Sequence, residues 1–250
     1  MDGIIKATLI GLFFGTFGTT LGGVIGIKLK GTSNKFLSFI LSFASGLMIS
    51  IVCFELVPEA LQIANIGTVL LGIILGIIIM ILCDVFVDRK FKVSIKKNKK
   101  HSEKGSLLKT GIIVGIGLAI HNFPEGLAIG SGFGASLELG LTLAIAICFH
   151  DIPEGISMAV PMKNGGISPI KVIIYVILSG ITTGLGAFFG AIVGGISQGV
   201  IAICLAFAAG AMMYIVSGEL IPESNSLYKG KMTAIGNMLG IILGIFAMNI

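Results

Sequence analysis

Two short motifs carry the chemistry of this chain: His121-Asn122-Phe123-Pro124-Glu125-Gly126 and His150-Asp151-Ile152-Pro153-Glu154-Gly155. Each sets a His and a Glu four residues apart, on one face of a helix. Both lie inside apolar stretches long enough to cross a bilayer. An ionisable side chain at mid-membrane costs roughly 2.5 kcal/mol or more, so such groups need partners or a ligand. Imidazole nitrogens and carboxylate oxygens brought together there form a transition-metal ligand set. Pro124 and Pro153 free a carbonyl one turn earlier, near Ile120 or Phe149. A Pro-broken helix at membrane depth is tolerated where it lines a cavity. Gly126 and Gly155 leave room for close approach, and Asn122 and Asp151, rotated about 100° round the helix, are placed for a second, adjacent ion.

The plain alternative is an internally paired His–Glu cluster that stiffens a bundle. It suits one isolated membrane His better than two matched motifs. With no thiolates in the motifs, copper(I) is less natural, and the imidazoles disfavour an all-oxygen calcium site. Zn2+ is the first choice, with Fe2+, Mn2+ and Cd2+ the others. The residues therefore read as those of a membrane transporter for a divalent metal, the ion being substrate and no prosthetic group being implied.

The elements that must hold these residues are membrane helices. The chain is 55% hydrophobic and 12% charged, with a mean hydropathy of +1.05. A soluble domain of 250 residues cannot hide that much apolar surface, which leaves an all-α, polytopic integral membrane protein. Hydropathy and charge divide it into eight spans, about 4–27, 36–61, 66–87, 107–131, 137–160, 169–194, 198–221 and 232–250. The first reads as a true span rather than a leader. Cys53, Cys83, Cys148 and Cys204 lie singly in four apolar segments and read as small buried hydrophobes. The 37 glycines suit closely approaching membrane helices.

Of the 17 Lys and Arg residues, all but Lys6 fall in the connections 1–2, 3–4, 5–6 and 7–8. The positive-inside rule makes that side cytoplasmic and puts both termini outside. The net charge of +5 is then an orientation signal toward the bilayer and its anionic headgroups, and implies no nucleic-acid partner. The Lys-rich stretch 88–106 is expected as the cytoplasmic 3–4 loop, its His101 an ordinary solvated loop residue.

Glu55-Leu56-Val57-Pro58-Glu59 in span 2 matches Glu219-Leu220-Ile221-Pro222-Glu223 in span 7. With the termini outside, those spans run in opposite directions, the mark of an inverted-topology repeat in which spans 1–3 pair with 6–8 and 4 with 5. Glu55 and Glu59 then mark the outer end of a path and Glu219 and Glu223 its inner end. Interfacial carboxylates at helix ends are the alternative for Glu59 and Glu223; Glu55 and Glu219 lie deeper.

The paired HNxPEG and HxxPEG motifs, with the eight spans and the basic 3–4 loop, resemble the ZIP (Zrt/Irt-like) metal transporters, particularly their bacterial zinc-uptake branch. The resemblance covers nearly the whole chain. It implies a single transmembrane domain over 1–250 in a 3+2+3 inverted arrangement, a multi-pass protein of the cell membrane that brings Zn2+ and related cations into the cytosol, and a homodimer. It also implies helices 1, 4, 5 and 6 moving against 2, 3, 7 and 8. By matched motifs, a primary metal position would use His121, Glu125, His150 and Glu154, with Met48 at a place where some relatives offer a thioether. A second would use Asn122 and Asp151 and share Glu125 and Glu154. One departure stands out: many relatives carry a Glu in span 6 where this chain has Thr183, within Ser179-Gly180-Ile181-Thr182-Thr183-Gly184-Leu185-Gly186. A weak or absent second metal ion is therefore expected.

Two other classes remain. An intramembrane metalloenzyme is opposed by residues 122 and 151, Asn and Asp, which deny either motif the HExxH pattern. A metal-binding sensor would hold the ion without moving it.

Overall fold

The computed structural model describes residues 2–29, 33–96 and 103–247. All secondary structure among these residues is helical. The helices are α1 (Asp2–Lys28), α2 (Asn34–Ile63), α3 (Ile66–Lys96), α4 (Glu103–Ala135), α5 (Leu137–Asn164), α6 (Pro169–Gly194), α7 (Gln198–Leu227) and α8 (Lys231–Ala247). Six of the described helices are long and apolar enough to cross a membrane: α1, α2, α3 over Ile66–Cys83, α5, α6 and α7. α8 is apolar but shorter. The surface agrees with immersion in lipid, because large apolar side chains such as Phe13, Leu70, Ile74, Ile174, Leu185 and Ile242 point outward. The chain is a polytopic membrane protein.

Helix ends follow local chemistry. Ser33, Ser136 and Ser197 cap α2, α5 and α7, each hydroxyl accepting a first-turn N–H at 3.0–3.3 Å. Pro169 opens α6, where its missing N–H is no loss. The α5–α6 turn closes through Gly166 at φ 95°, the one positive-φ residue described. Lys163 in the last turn of α5 donates to the carbonyls of Ile27 and Leu29 at 2.6 and 3.0 Å, a cation at the carbonyl end of α1. The polar stretch expected at 88–106 is mostly helix: α3 continues to Lys96 and α4 begins at Glu103. His101 lies outside the described residues.

The proline motifs behave in two ways. In α2, Pro58 cannot donate to the Phe54 carbonyl, and its ring crowds that turn. The helix responds with a π-turn over Val52–Leu56, in which the Val57 N–H reaches the Val52 carbonyl. Pro222 does the same in α7, with a π-turn over Val216–Leu220 and the Ile221 N–H on the Val216 carbonyl. Glu55 and Glu219 sit inside these turns. Pro124 and Pro153, expected to break their helices, do not: α4 and α5 run through them in α geometry.

Helix contacts recur in matched pairs. α4 packs on α6 as α5 packs on α1; α2 packs on α8 as α7 packs on α3; α4 meets α7 as α5 meets α2. Glycines set four of these crossings. A Cβ at Gly46 would strike the Asn237 carbonyl and one at Gly240 the Phe43 carbonyl; Gly210 and Gly76 meet Ile73 and Phe207 in the same way. Gly126 lies on the Thr183 carbonyl and Gly186 on that of Phe123, and Gly155 and Gly22 lie on those of Thr19 and Ile152. Without a hydrophobic drive between helices in lipid, such backbone contact supplies the packing. Interhelix hydrogen bonds add to it: Ser224 Oγ donates to the Ser38 carbonyl at 2.7 Å, and Asn237 Nδ2 to Ser45 Oγ at 2.8 Å. Gly46→Val or Gly210→Val is expected to cost about 1–3 kcal/mol by overpacking, read as a lower unfolding temperature in detergent. Gly3→Ala, with nothing within 4 Å, should leave it unchanged.

Candidate metal site

The site forms where α4 and α5 face one another. The close Gly126–Thr183 and Gly155–Thr19 contacts seat these two helices deep against α6 and α1. Glu125, His150, Asp151 and Glu154 each offer a ligand atom, and the four atoms lie within 4.8 Å of one another. All four side chains are completely buried. His150 Nε2 lies 2.9 Å from Glu125 Oε1 and 3.5 Å from Asp151 Oδ1. The first is a hydrogen bond, the second an electrostatic contact only.

What distinguishes the cluster is how many strong acceptors it leaves unsatisfied. Glu125 Oε2, both oxygens of Asp151, both oxygens of Glu154 and His150 Nδ1 have no hydrogen-bond partner. Each such buried polar atom costs about 1–3 kcal/mol, more when charged. Three carboxylates around one imidazole cannot satisfy one another, because ionised carboxylates only accept. A cation resolves the conflict at a stroke, and the donor set of imidazole nitrogen and carboxylate oxygen fits a borderline divalent metal such as zinc.

The other expected residues are distributed around this centre. His121 is buried on α4, one turn before Glu125, but outside the four-residue grouping. Asn122, also buried, donates its Nδ2 to the Ser179 carbonyl at 3.0 Å and lies 3.4 Å from the Ser179 hydroxyl. Its Oδ1 has no partner. Asp151, expected at a second position that shares Glu125 and Glu154, groups with both glutamates and with His150. Met48 is fully buried in the apolar core with Ile129, Leu143, Ile147 and Met212. Glu219 is half-buried, within electrostatic reach of Glu154. Glu55 is likewise half-buried, within reach of Glu59 and of Glu138 at the start of α5. Sequence reasoning missed Glu138, whose only signal was its place in the first turn of the helix that leads to His150. It also missed Ser179 as the anchor of Asn122.

A helical membrane protein with a buried carboxylate–imidazole cluster is a metal-handling membrane protein. The sequence model of the ZIP Zinc transporter family matches residues 92–250. The zinc transporter ZupT of Clostridium perfringens is 31% identical over 274 residues, covering 97% of this chain and 95% of that protein. ZupT of Chlorobium limicola is 32% identical over 247 residues, covering 93% and 92%. Zinc transporter ZIP11 of Xenopus tropicalis is 36% identical over 146 residues, 56% of this chain, which spans only 44% of that longer relative. The chain belongs to the ZIP zinc transporter family, a family of transporters rather than enzymes, in which the metal is cargo and not a prosthetic group.

Loss of a ligand should weaken metal binding strongly, since even outer-shell partners of a metal are worth about 10–100-fold. Glu154→Gln and His150→Ala are each expected to lower zinc affinity by at least that much, measured by competition with a chromophoric chelator. Ser179→Ala, which keeps the carbonyl that holds Asn122, should have a far smaller effect.

Proposed function

We propose that this protein carries Zn2+ into the cytoplasm across the cell membrane, with Cd2+, Fe2+ and Mn2+ as related cargo. The observation that carries the reading is the completely buried Glu125–His150–Asp151–Glu154 cluster with its unpartnered ligand atoms. A sensor would serve equally well with an exposed site. A fully buried one needs a route in and a route out.

The proposed architecture is eight spans in a 3+2+3 inverted repeat, with both termini outside and the Lys-rich 3–4 connection inside. Support comes from the paired helix contacts, the two equivalent π-turns and the positive-inside asymmetry. Glu55 and Glu59 would draw the hydrated cation to the outer mouth, joined by Glu138. At the centre it exchanges water for His150 and the three carboxylates, with His121 one turn away on α4. Glu219, within reach of Glu154, would take it toward Glu223 and the cytoplasm. Alternating access suits the packing, because α1, α4, α5 and α6 contact one another extensively, as α2 and α8 and α3 and α7 do. A homodimer is the assembly proposed on family grounds.

The test is zinc influx into proteoliposomes that enclose a zinc-sensitive dye. Saturable uptake by the native protein, abolished in His150→Ala and Glu154→Ala, is the expected result; equal uptake by native and variant proteins would refute the site. Neutral imidazole and ionised carboxylate are the forms that bind metal. Protons therefore compete, and uptake should fall as the external medium is acidified. Zinc titration of the purified protein should find one tight site, because Thr183 supplies no fourth buried carboxylate.

A further inference from the structure

We infer that the cleft between α2, α7 and α8 seats one anionic phospholipid, its phosphate held by Lys35, Lys229 and Lys231. The first observation is a space that no side chain fills. The short turn 228–230 joins α7 to α8, and α8 packs along α2 yet scarcely touches α7. A cavity of about 330 Å3 is left among the three helices. Small residues keep it open, with Ser42, Ser224, Thr233 and Ala234 in its wall. Its mouth is on the lipid face: Met238 in the wall is exposed and continues at four-residue spacing into the outward-pointing Ile242 and Phe246. A gap there takes up lipid, because unfilled space forfeits dispersion contacts.

The lining suits the upper part of a phospholipid. Ile221, Ala234 and Met238 offer an apolar side to the start of an acyl chain. Ser42, Ser224, Asn225, Thr233 and Asn237 place hydroxyl and amide groups beside it, matched to glycerol and ester oxygens. No carboxylate belongs to the wall. Glu223 lies about 200° round α7 from Ile221 and faces away. The cleft is therefore no cation seat, and it is separate from the α4–α5 metal site.

Charge at one end of the cleft supplies the independent argument. Lys35 stands two turns before Ser42 on one face of α2, and Lys231 stands three and seven residues before Ala234 and Met238 on one face of α8. Lys229 lies in the turn between α7 and α8. All three lysines are exposed, and among the described residues none of them forms an ion pair. Lys35 Nζ sits 5.8 Å over the Tyr228 ring, and a Cβ at Gly230 would strike the same ring. The ring thus ties the start of α2 to the α7–α8 turn and holds one ammonium at the mouth. The proposed orientation puts this end at the cytoplasmic leaflet, where anionic headgroups attract basic residues.

The experiment is native mass spectrometry of the full chain in detergent, titrated with phosphatidylglycerol or with phosphatidylcholine of the same acyl chains. One phosphatidylglycerol should bind in clear preference to phosphatidylcholine. A lysine near an anionic lipid is worth about 5-fold in affinity, so Lys229→Gln with Lys231→Gln should weaken binding about 25-fold. Lys171→Gln, on α6, should leave it unchanged. Ala234→Phe fills the cavity from an exposed position and keeps every lysine; it too should expel the lipid, and its unfolding temperature in lipid-free detergent guards against a folding defect. Equal binding of the two lipids, or phosphatidylglycerol binding unchanged in the double lysine variant, would overturn the inference. Displacement of the lipid by millimolar inorganic phosphate, with Ala234→Phe still binding, would also overturn it and assign the lysines to a soluble anion.

Discussion

Three carboxylates buried together where water cannot reach them are the constraint on which this molecule turns. Like charges face one another there, and His150 hydrogen-bonds only one of them, at 2.9 Å to Glu125. Such a cluster is tolerable when a cation shares the burial and the surrounding helices hold the ligands in place. The glycine crossings meet the second condition. Gly126 on Thr183 and Gly155 on Thr19 press α4 and α5 backbone-to-backbone against α6 and α1. The ligands thus project from helices whose positions are set by hard contact.

The same economy of parts explains the flanking helices. Pro58 and Pro222 each convert one turn into a π-turn, and π-turns are frequent at functional positions because they re-aim one side chain and loosen the local ladder. Here the residues re-aimed are Glu55 and Glu219. Their surroundings differ, however. Glu219 reaches electrostatically to Glu154, whereas Glu55 interacts with Glu59 and Glu138. Two matched segments thus occupy unequal environments.

Much of this was legible in the chain. The 3.6-residue period placed His and Glu of each motif on one face, and hydropathy located the helices to within a few residues at most ends. The matched Glu-Leu-x-Pro-Glu segments took matching forms, a π-turn in each. What escaped were consequences of three-dimensional packing. The spacing put Asp151 beside the motif's His, but that Glu125 from the other helix lies within 4.8 Å of both could be read only from the packing. Proline chemistry promised broken helices at Pro124 and Pro153, yet α4 and α5 run through them in α geometry, while the π-turns arose before Pro58 and Pro222. Thr183 read as the loss of a ligand; its complete burial without a hydrogen-bond partner was not legible in the chain.

The most direct test of the account is zinc K-edge X-ray absorption on the metal-loaded protein and on His150→Ala. The account predicts a shell of nitrogen and oxygen alone at about 2.0–2.2 Å, with imidazole scattering that diminishes in the variant. Sulfur at about 2.3 Å, or a spectrum unchanged by the loss of His150, would contradict a metal site built from the α4–α5 cluster.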